Sequence, residues 1–83
     1  MKVLYFAWVR DFVGTGQETV EPPAEVATVG DLMGWLAQRS PGHARAFADP
    51  AVVRCAVDQD FAGAEAPIAG VSEVAFFPPV TGG

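Results

Sequence analysis

The sequence predicts an α+β domain, a mixed β-sheet of four to five strands with one main helix on one face. Three observations lead to this prediction. Apolar runs rich in β-branched and aromatic residues occur near both ends of the chain and again around residue 55. One segment between them repeats its apolar residues at helical spacing. The 83 residues, 51% of them hydrophobic, suffice for one small domain with a single core.

The first two strands are predicted at residues 2–9 and 17–21. In residues 2–9 both alternating sets of side chains are apolar, whereas a strand with one solvated face alternates apolar and polar residues. We therefore expect this strand to be covered on both faces, by its own chain or by a partner. Residues 10–16 should connect it to the second strand, which ends at Pro22, and the two strands should pair as an antiparallel hairpin.

A helix is predicted to begin after Thr28, which is a good N-cap, and Asp31 suits its first turn. The apolar residues that follow recur at positions i, i+3, i+4 and i+7, which places them on one stripe of about three helical turns. They are Val29, Leu32, Met33 and Leu36. Residues 40–42, Ser-Pro-Gly, should end this helix. Residues 43–49 should form a short helical turn with three apolar side chains inward: Ala44, Phe47 and Ala48.

The remaining strands are predicted in the second half of the chain. Residues 52–57 form a β-branched run that is typical of a strand, and residues 58–60 indicate a turn. Residues 61–62 and 67–68 should be short extended pieces. The last strand is predicted at residues 73–77, which end in two phenylalanines.

This order of elements matches the β-grasp arrangement, in which the last strand lies centrally beside the first. One helix can cover only one face of such a sheet. The other face should therefore keep apolar side chains, including one of Phe76 and Phe77, and we expect a partner protein to cover that patch.

Composition narrows the classes of function. The net charge of −5 argues against nucleic acid as a ligand, because its recognition needs a basic surface, and favours a partner with a basic surface. The single cysteine, Cys55, allows no internal disulfide. The first apolar run is too short for a signal peptide or a membrane span. We therefore expect a cytoplasmic protein that does not bind membranes.

The internal side chains offer little for catalysis. No glycine-rich phosphate loop and no metal-ligand spacing occurs in the sequence, and no bound cofactor is expected. Cys55 lies in an apolar run and should be a buried, inert thiol. His43 is expected in a polar connection and without a catalytic role. Asp58 and Asp60 suit a turn better than an acid–base pair.

The chemistry is expected instead at the end of the sequence. The six residues after the last strand are Pro78, Pro79, Val80, Thr81, Gly82 and Gly83. The two prolines cannot continue a central sheet ladder and favour an extended exit, and the two glycines can pass a narrow channel. Fully extended, such a segment reaches roughly 20 Å. We therefore divide the chain into a domain, residues 1–77, and a tail, residues 78–83, whose terminal carboxyl is the working group.

Two segments together are similar to those of a known family. The ending FFPPVTGG at residues 76–83 and the opening KVLYFA at residues 2–7, with Arg10 and the Val13-Gly14 pair, resemble the small subunit of molybdopterin synthase, a ubiquitin-like sulfur carrier. The resemblance covers the whole chain. It implies a ubiquitin-like β-grasp fold and a sulfur-donor subunit that is not itself catalytic.

The resemblance also implies partners and a reaction. An adenylating enzyme related to ubiquitin-activating enzymes would use ATP to activate Gly83, and a sulfurtransferase would supply the sulfur of a thiocarboxylate. The tail would insert into the large catalytic subunit, within a heterotetramer of two small and two large subunits. Sulfur would pass to cyclic pyranopterin monophosphate and build the dithiolene of molybdopterin. By their positions, Phe77 and Phe61 would contact the large subunit.

Two alternatives stay open at this point. The chain could be a sulfur carrier for thiamine or amino-acid biosynthesis, since those relatives share the Gly-Gly end and the fold. The aromatic residues before the two prolines favour the molybdenum pathway. The chain could also be a non-catalytic ubiquitin-like interaction module with an inert tail, since chain ends are often disordered.

Overall fold

A computed structural model describes residues 1–79 and shows a five-stranded mixed sheet with helices on one face. The strands are β1 (Lys2–Tyr5), β2 (Gln17–Thr19), β3 (Arg54–Val57), β4 (Asp60–Ala62) and β5 (Glu73–Phe77). The helices are α1 (Ala7–Val13), α2 (Val29–Ala37) and α3 (Pro41–Ala46), with a 3₁₀ turn at Pro50–Val52. In residues 1–79, no helix combines the length and the apolar character that crossing a bilayer requires.

The order of strands in the sheet is β2-β1-β5-β3-β4. The last strand is therefore central, as predicted: β5 pairs in parallel with β1 and antiparallel with β3. The predicted antiparallel pairing of the first two strands is also confirmed. This order and the mixed sheet confirm the α+β class and the β-grasp arrangement.

One core lies between the sheet and the helices. Alternate residues of the central strands point into it, because successive side chains of a strand face opposite sides. The residues with the largest fully buried side chains are Tyr5, Phe76, Leu32, Leu36, Val3, Val9, Val29 and Val74. The predicted stripe of α2 is thus confirmed, and Met33, its fourth member, is also buried.

The start of α2 confirms the predicted cap. The Oγ1 of Thr28 accepts a hydrogen bond from the backbone N–H of Asp31 at 3.1 Å. The Oδ2 of Asp31 in turn accepts from the N–H of Thr28 at 3.3 Å and from that of Ala27 at 3.1 Å. This capping box satisfies donors that the first turn of a helix leaves without partners.

The prediction of a strand over residues 2–9 was wrong in its second half. The strand ends at Tyr5, and Ala7–Val13 form α1, so residues 10–16 are not a simple connection. An apolar run of this length fits a helix as well as a strand. In the helix, Trp8 and Phe12 are four residues apart and their rings lie 5.9 Å from each other. Gly14 ends α1 with a φ of 95°, a conformation that glycine adopts readily.

Three further predictions need correction. The second strand stops at Thr19, two residues short of the predicted end. Residues 40–42 were predicted to end α2, but they begin the next helix. The Oγ of Ser40 accepts a hydrogen bond from the N–H of His43 and caps α3, which spans Pro41–Ala46. Ala44 and Ala48 are therefore exposed, and the inward residues of this segment are His43, Ala46 and Phe47.

The strand predicted at residues 52–57 is shorter than expected. Pro50–Val52 form a 3₁₀ turn, and Asp49 caps it through a hydrogen bond from the N–H of Ala51 to its Oδ1. The strand β3 therefore begins at Arg54. The last strand occupies residues 73–77, as predicted.

Candidate functional site

The strand β5 fixes the point from which the end of the chain departs. It lies between two strands, and its side chains alternate, with Val74 and Phe76 fully buried and Phe77 on the opposite face. The backbone carbonyl of Phe76 accepts a further hydrogen bond from the N–H of Phe6 at 3.1 Å. The last residues of β5 are thus held from both sides.

The sheet face that points away from the helices carries several apolar side chains. We call it the outer sheet face, and it carries Leu4, Ala56, Phe61, Ala75 and Phe77. Leu4 and Ala56 flank Ala75 on the two neighbouring strands, and Phe61 is paired with Ala56. The predicted apolar patch on this side is therefore present. Such a patch on a small domain marks a site of association.

The two residues that sequence reasoning assigned to partner binding lie together on this face. The rings of Phe61 and Phe77 are 5.9 Å apart and tilted by 56°. Phe61 is 85% exposed, although full burial of such a side chain is worth about 1.5–3 kcal/mol. An aromatic ring held in water at this position is available to a partner.

A third aromatic residue, Phe6, was not assigned to the site from the sequence. It follows Tyr5, which is paired with Phe76, and it is 48% exposed. Its backbone bond to Phe76 places it next to the end of β5. The sequence reasoning missed it because both alternating sets of residues 2–9 are apolar, so the sequence does not indicate which set faces outward.

The predicted tail is only partly within the described residues. Pro78 and Pro79 follow β5 without regular secondary structure, and both are half-buried. Val80, Thr81, Gly82 and Gly83 lie outside the described residues. Their assignment to the tail, and that of Gly83 to the chemistry, stays a prediction.

A polar cluster that the sequence did not predict lies on the helix side of the sheet. We call it the Glu18 cluster, and it consists of Tyr5, Glu18, Arg39, Ser40 and His43. The Oη of Tyr5 donates to the Oε2 of Glu18 at 2.6 Å, and the Nε2 of His43 lies 2.6 Å from the same oxygen. The Nη2 of Arg39 donates to the Oε1 of Glu18 at 3.3 Å. His43 is thus buried and bonded, and its predicted place in a polar connection was wrong.

The cluster has the connectivity of a Ser–His–acid relay, because the Oγ of Ser40 lies 2.7 Å from the Nδ1 of His43. A structural role explains it better. The same Oγ caps α3, and the ring of His43 packs edge-on against Tyr5 at 5.9 Å. Two surface cavities of about 320 and 180 Å³ are lined by other residues, so neither brings a substrate to Ser40.

Electrostatics tie the cluster together. Burial by itself raises the pKa of the Glu18 carboxyl, but hydrogen bonds from His43 and Tyr5 and the charges of His43 and Arg39 outweigh it. The pKa of Glu18 therefore lies below its usual value. Burial, and next the carboxylate of Glu18, raise the pKa of the Tyr5 phenol far above its usual range.

The shift at Glu18 predicts an acid dependence of stability. A carboxyl whose pKa is lower in the folded than in the unfolded state stabilises the fold above the unfolded value, 4.5, and this contribution is lost as pH falls through the folded value. Urea unfolding of wild type and Glu18→Gln at pH 7, 5 and 3 should show that the difference between them shrinks below about pH 4.5. An unchanged difference at pH 3 would contradict the ion-paired carboxylate.

Two other predicted residues behave as expected. Cys55 is buried, and its Sγ donates to the carbonyl of Ala62 at 3.1 Å; burial, with a smaller effect of Glu65, raises the pKa of the thiol. This favours an inert thiol. Asp58 lies in the predicted turn between β3 and β4, but its carboxylate accepts hydrogen bonds from the N–H groups of Ser72 and Glu73 at 3.1 and 2.9 Å, so it ties this turn to the start of β5. Asp60, the other carboxylate predicted in this turn, is the first residue of β4.

Comparison with known proteins agrees with this geometry. Residues 3–83 match the sequence model of the ThiS family. The molybdopterin synthase sulfur carrier subunit of Escherichia coli (strain K12) is 42% identical over 83 residues, which cover 100% of this chain and 99% of that protein. The protein of the same name from Haemophilus influenzae is 31% identical over 83 residues, with the same coverage.

A solved structure is also similar. The crystal structure of SAMP1 from Haloferax volcanii aligns with a TM-score of 0.76 and 28% identity, covering 100% of this chain and 98% of that chain. This likeness supports the ubiquitin-like β-grasp fold. The chain therefore belongs to the ThiS family and, within it, to the family of molybdopterin synthase sulfur carrier subunits.

Proposed function

We propose that this chain carries sulfur on Gly83 and delivers it to the large subunit of a molybdopterin synthase. One observation supports the proposal above all. The FFPPVTGG ending begins inside the central strand β5, so its first two residues are anchored in the sheet. In the proposal, residues 1–77 are the body and residues 78–83 are the tail that it presents. A tail that leaves a strand paired on both sides starts from a fixed point, which is what delivery into a partner's pocket requires.

The proposed chemistry belongs to the terminal carboxyl. An α-carboxyl is ionised at neutral pH and is a poor acyl electrophile. On an adenylating enzyme, the Gly83 carboxylate attacks the α-phosphate of ATP, which forms an acyl-adenylate and releases pyrophosphate. Sulfur at the oxidation level of hydrosulfide, released from a sulfurtransferase persulfide by a thiol that is oxidised to a disulfide, then displaces AMP and leaves a thiocarboxylate. ATP and the catalytic side chains come from the partners, and this chain contributes the acyl group.

The thiocarboxylate is a soft nucleophile on an extended arm. Inserted into the large subunit within the heterotetramer, it attacks cyclic pyranopterin monophosphate, and a C–S bond forms where a C–O bond of the substrate breaks. Water then cleaves the acyl–sulfur bond, which returns the Gly83 carboxylate and leaves the sulfur on the pterin. Two such transfers build the dithiolene of molybdopterin. In this proposal, Pro78 and Pro79 stiffen the base of the tail, and Val80, Thr81 and Gly82 pass through a channel of the large subunit. The two glycines keep the tip narrow.

The outer sheet face is the proposed docking surface for the large subunit. Phe61 lies on the edge strand β4 and Phe77 at the end of β5, and Lys2 and Arg54 lie exposed on the same face beside Glu73 and Phe77, respectively. Exposed aromatic rings surrounded by polar residues have the composition of interface hot spots. The surface continues to the base of the tail, so docking and insertion can occur together.

Intact-mass measurement tests the proposed chemistry. The chain is incubated with the adenylating enzyme, ATP and a sulfur source, and its mass is followed. We expect a gain equal to the replacement of one oxygen by sulfur, located at Gly83 by fragmentation and absent without ATP. A chain that never gains this mass, under conditions that modify the Escherichia coli relative, would contradict the proposal. Co-purification with a thiazole synthase in place of a pterin-binding subunit would favour the thiamine pathway.

The docking surface makes a separate prediction. Replacement Phe61→Ala should weaken binding to the large subunit by about 30-fold, the effect of losing a hot-spot side chain worth about 2 kcal/mol. Stability should change little, because Phe61 is 85% exposed. Calorimetric titration of the two subunits measures the dissociation constant.

A matched control is available on another surface. Phe12 is 41% exposed on α1 and packs against Trp8, outside the outer sheet face. Replacement Phe12→Ala should leave the dissociation constant within about twofold of wild type. Equal weakening by both replacements would argue against docking through the outer sheet face.

A further inference from the structure

The Glu18 cluster has no part in the chemistry proposed for the tail, yet it is tied to the strand that carries the tail. Glu18 lies on β2, which is not a neighbour of β5 in the sheet. Its side chain is 19% exposed, and its two oxygens are bonded to groups from three other segments: Tyr5 of β1, Arg39 after α2 and His43 of α3. One carboxylate therefore fixes the relative positions of these segments.

Two of those segments hold Phe76. The ring of Tyr5 stacks on that of Phe76 at 6.4 Å with an interplanar angle of 18°. The ring of Phe47, just after α3, meets Phe76 edge-on at 5.0 Å. The N–H of Phe47 also donates to the carbonyl of His43 at 3.1 Å, so the bond between His43 and Glu18 holds the end of α3 against the sheet.

We propose that Glu18 is a positioning residue for the tail, acting through Tyr5 and through His43 and Phe47 on Phe76. Phe76 is fully buried between these rings, and its neighbour Phe77 is both the last residue of β5 and part of the outer sheet face. A shift of Phe76 therefore changes two things at once: the direction in which residues 78–83 leave, and the pose of the Phe77 ring beside Phe61.

The inference deepens the proposed function, because tail direction has a consequence only if the tail is delivered to a partner. Its structural part does not depend on that function. The Tyr5 phenol and the His43 imidazole both donate to one oxygen, and a hydrogen bond to a charged acceptor is stronger than one between neutral groups. Loss of the charge at Glu18 should loosen Phe76 and Phe77 more than it loosens the rest of the sheet.

The test uses two replacements in the full-length chain and one control. Glu18→Gln keeps the shape of the side chain and removes its charge, and Tyr5→Phe removes only the hydroxyl and leaves the ring stacked on Phe76. The control is Ile68→Val. Ile68 is buried, and it lines a cavity together with Met1, outside the Glu18 cluster. Should Glu18→Gln fail to fold, Tyr5→Phe still breaks the contact and carries the test.

Native-state hydrogen exchange is the first measurement. In Glu18→Gln and Tyr5→Phe, the amides of Phe76 and Phe77 should exchange about tenfold faster than the change in global stability accounts for, as expected when one hydrogen bond to a charged group is lost. In Ile68→Val their exchange should follow global stability alone. Equal behaviour of all three variants would overturn the inference.

Kinetics with the adenylating enzyme is the second measurement. A misdirected tail should raise KM about fivefold for both cluster variants and change kcat by less than about twofold, because a tail that has entered reacts normally. Ile68→Val should change neither constant. If wild type is not adenylated, the proposed function fails while the exchange result stands. If wild type is adenylated and the two cluster variants have the same KM and kcat as Ile68→Val, the positioning role of Glu18 is wrong and the proposed function is unaffected.

Discussion

Deletion of Gly83 is expected to abolish sulfur transfer while the domain stays folded. The carboxyl then sits on Gly82, which is still a glycine, so its charge and chemistry are unchanged and only its position differs. Each residue of an extended chain spans about 3.3–3.6 Å, and a misplacement of about 1 Å can already reduce a rate by about 10². Molybdopterin formation by the reconstituted synthase should therefore fall by at least about 100-fold.

Two further variants separate length from steric fit. A residue added after Gly83 converts the reactive carboxyl into an amide and should abolish transfer equally. Replacement Gly83→Ala keeps the length and adds one methyl group, so it should retain part of the activity if the channel is narrow. Urea midpoints of all three should equal that of wild type. Retained activity in the deletion variant would remove the terminal carboxyl from the mechanism.

Replacement Gly42→Ala is expected to cause the largest loss of stability by a single methyl group. A Cβ at this position in α3 would lie 2.2 Å from the backbone carbonyl oxygen of Phe12, in α1. Alanine favours a helix by about 1 kcal/mol over glycine, but a contact this short forces two packed backbones apart, and overpacking costs about 1–3 kcal/mol. Because the contacted atom belongs to the backbone and cannot rotate away, the upper end of that range, about 3 kcal/mol, applies, and we expect a net loss of about 2 kcal/mol and a fall in Tm of about 8–16 °C.

The same replacement at Gly34 is the matched control. Gly34 lies in α2, is exposed, and a Cβ there would meet no atom within 4 Å. The helix preference then acts alone, and Gly34→Ala should raise stability by about 1 kcal/mol and Tm by about 4–8 °C. Thermal unfolding monitored by circular dichroism measures both. A stable Gly42→Ala variant would show that α1 and α3 are not packed as closely as the structure has them.

Much of the fold could be predicted because local patterns and tertiary structure agree. The stripe of α2 is both amphipathic and capped, and its predicted residues are all buried. The central place of β5 was predicted from the order of elements, which matches the β-grasp arrangement. The helix after Tyr5 could not be predicted, because an apolar run is compatible with the periodicity of a strand and with that of a helix. In the folded chain this segment is α1, and its close packing on α3 at Gly42 favours the helix.

Some residues of the candidate site could likewise be predicted from the sequence, and others could not. The family resemblance assigned Phe61 and Phe77 to a partner contact, which stays a prediction, and the structure brings their rings together. Glu18 and His43 are 25 residues apart, and neither stands in a motif that signals a bond between them. Local reasoning places such residues in solvent, whereas the fold buries His43 and supplies it with a carboxylate.

The class of the fold and the central last strand could be predicted from the amino-acid sequence, because periodicity, proline and glycine act within a few residues of the chain. Three features emerged only in the folded chain: residues 7–13 are a helix, Phe6 is hydrogen-bonded to the end of β5, and the carboxylate of Glu18 bonds to groups from three other segments. These features depend on contacts between residues that are far apart in the sequence. Such contacts form only when folding has offset the entropy cost of bringing those residues together.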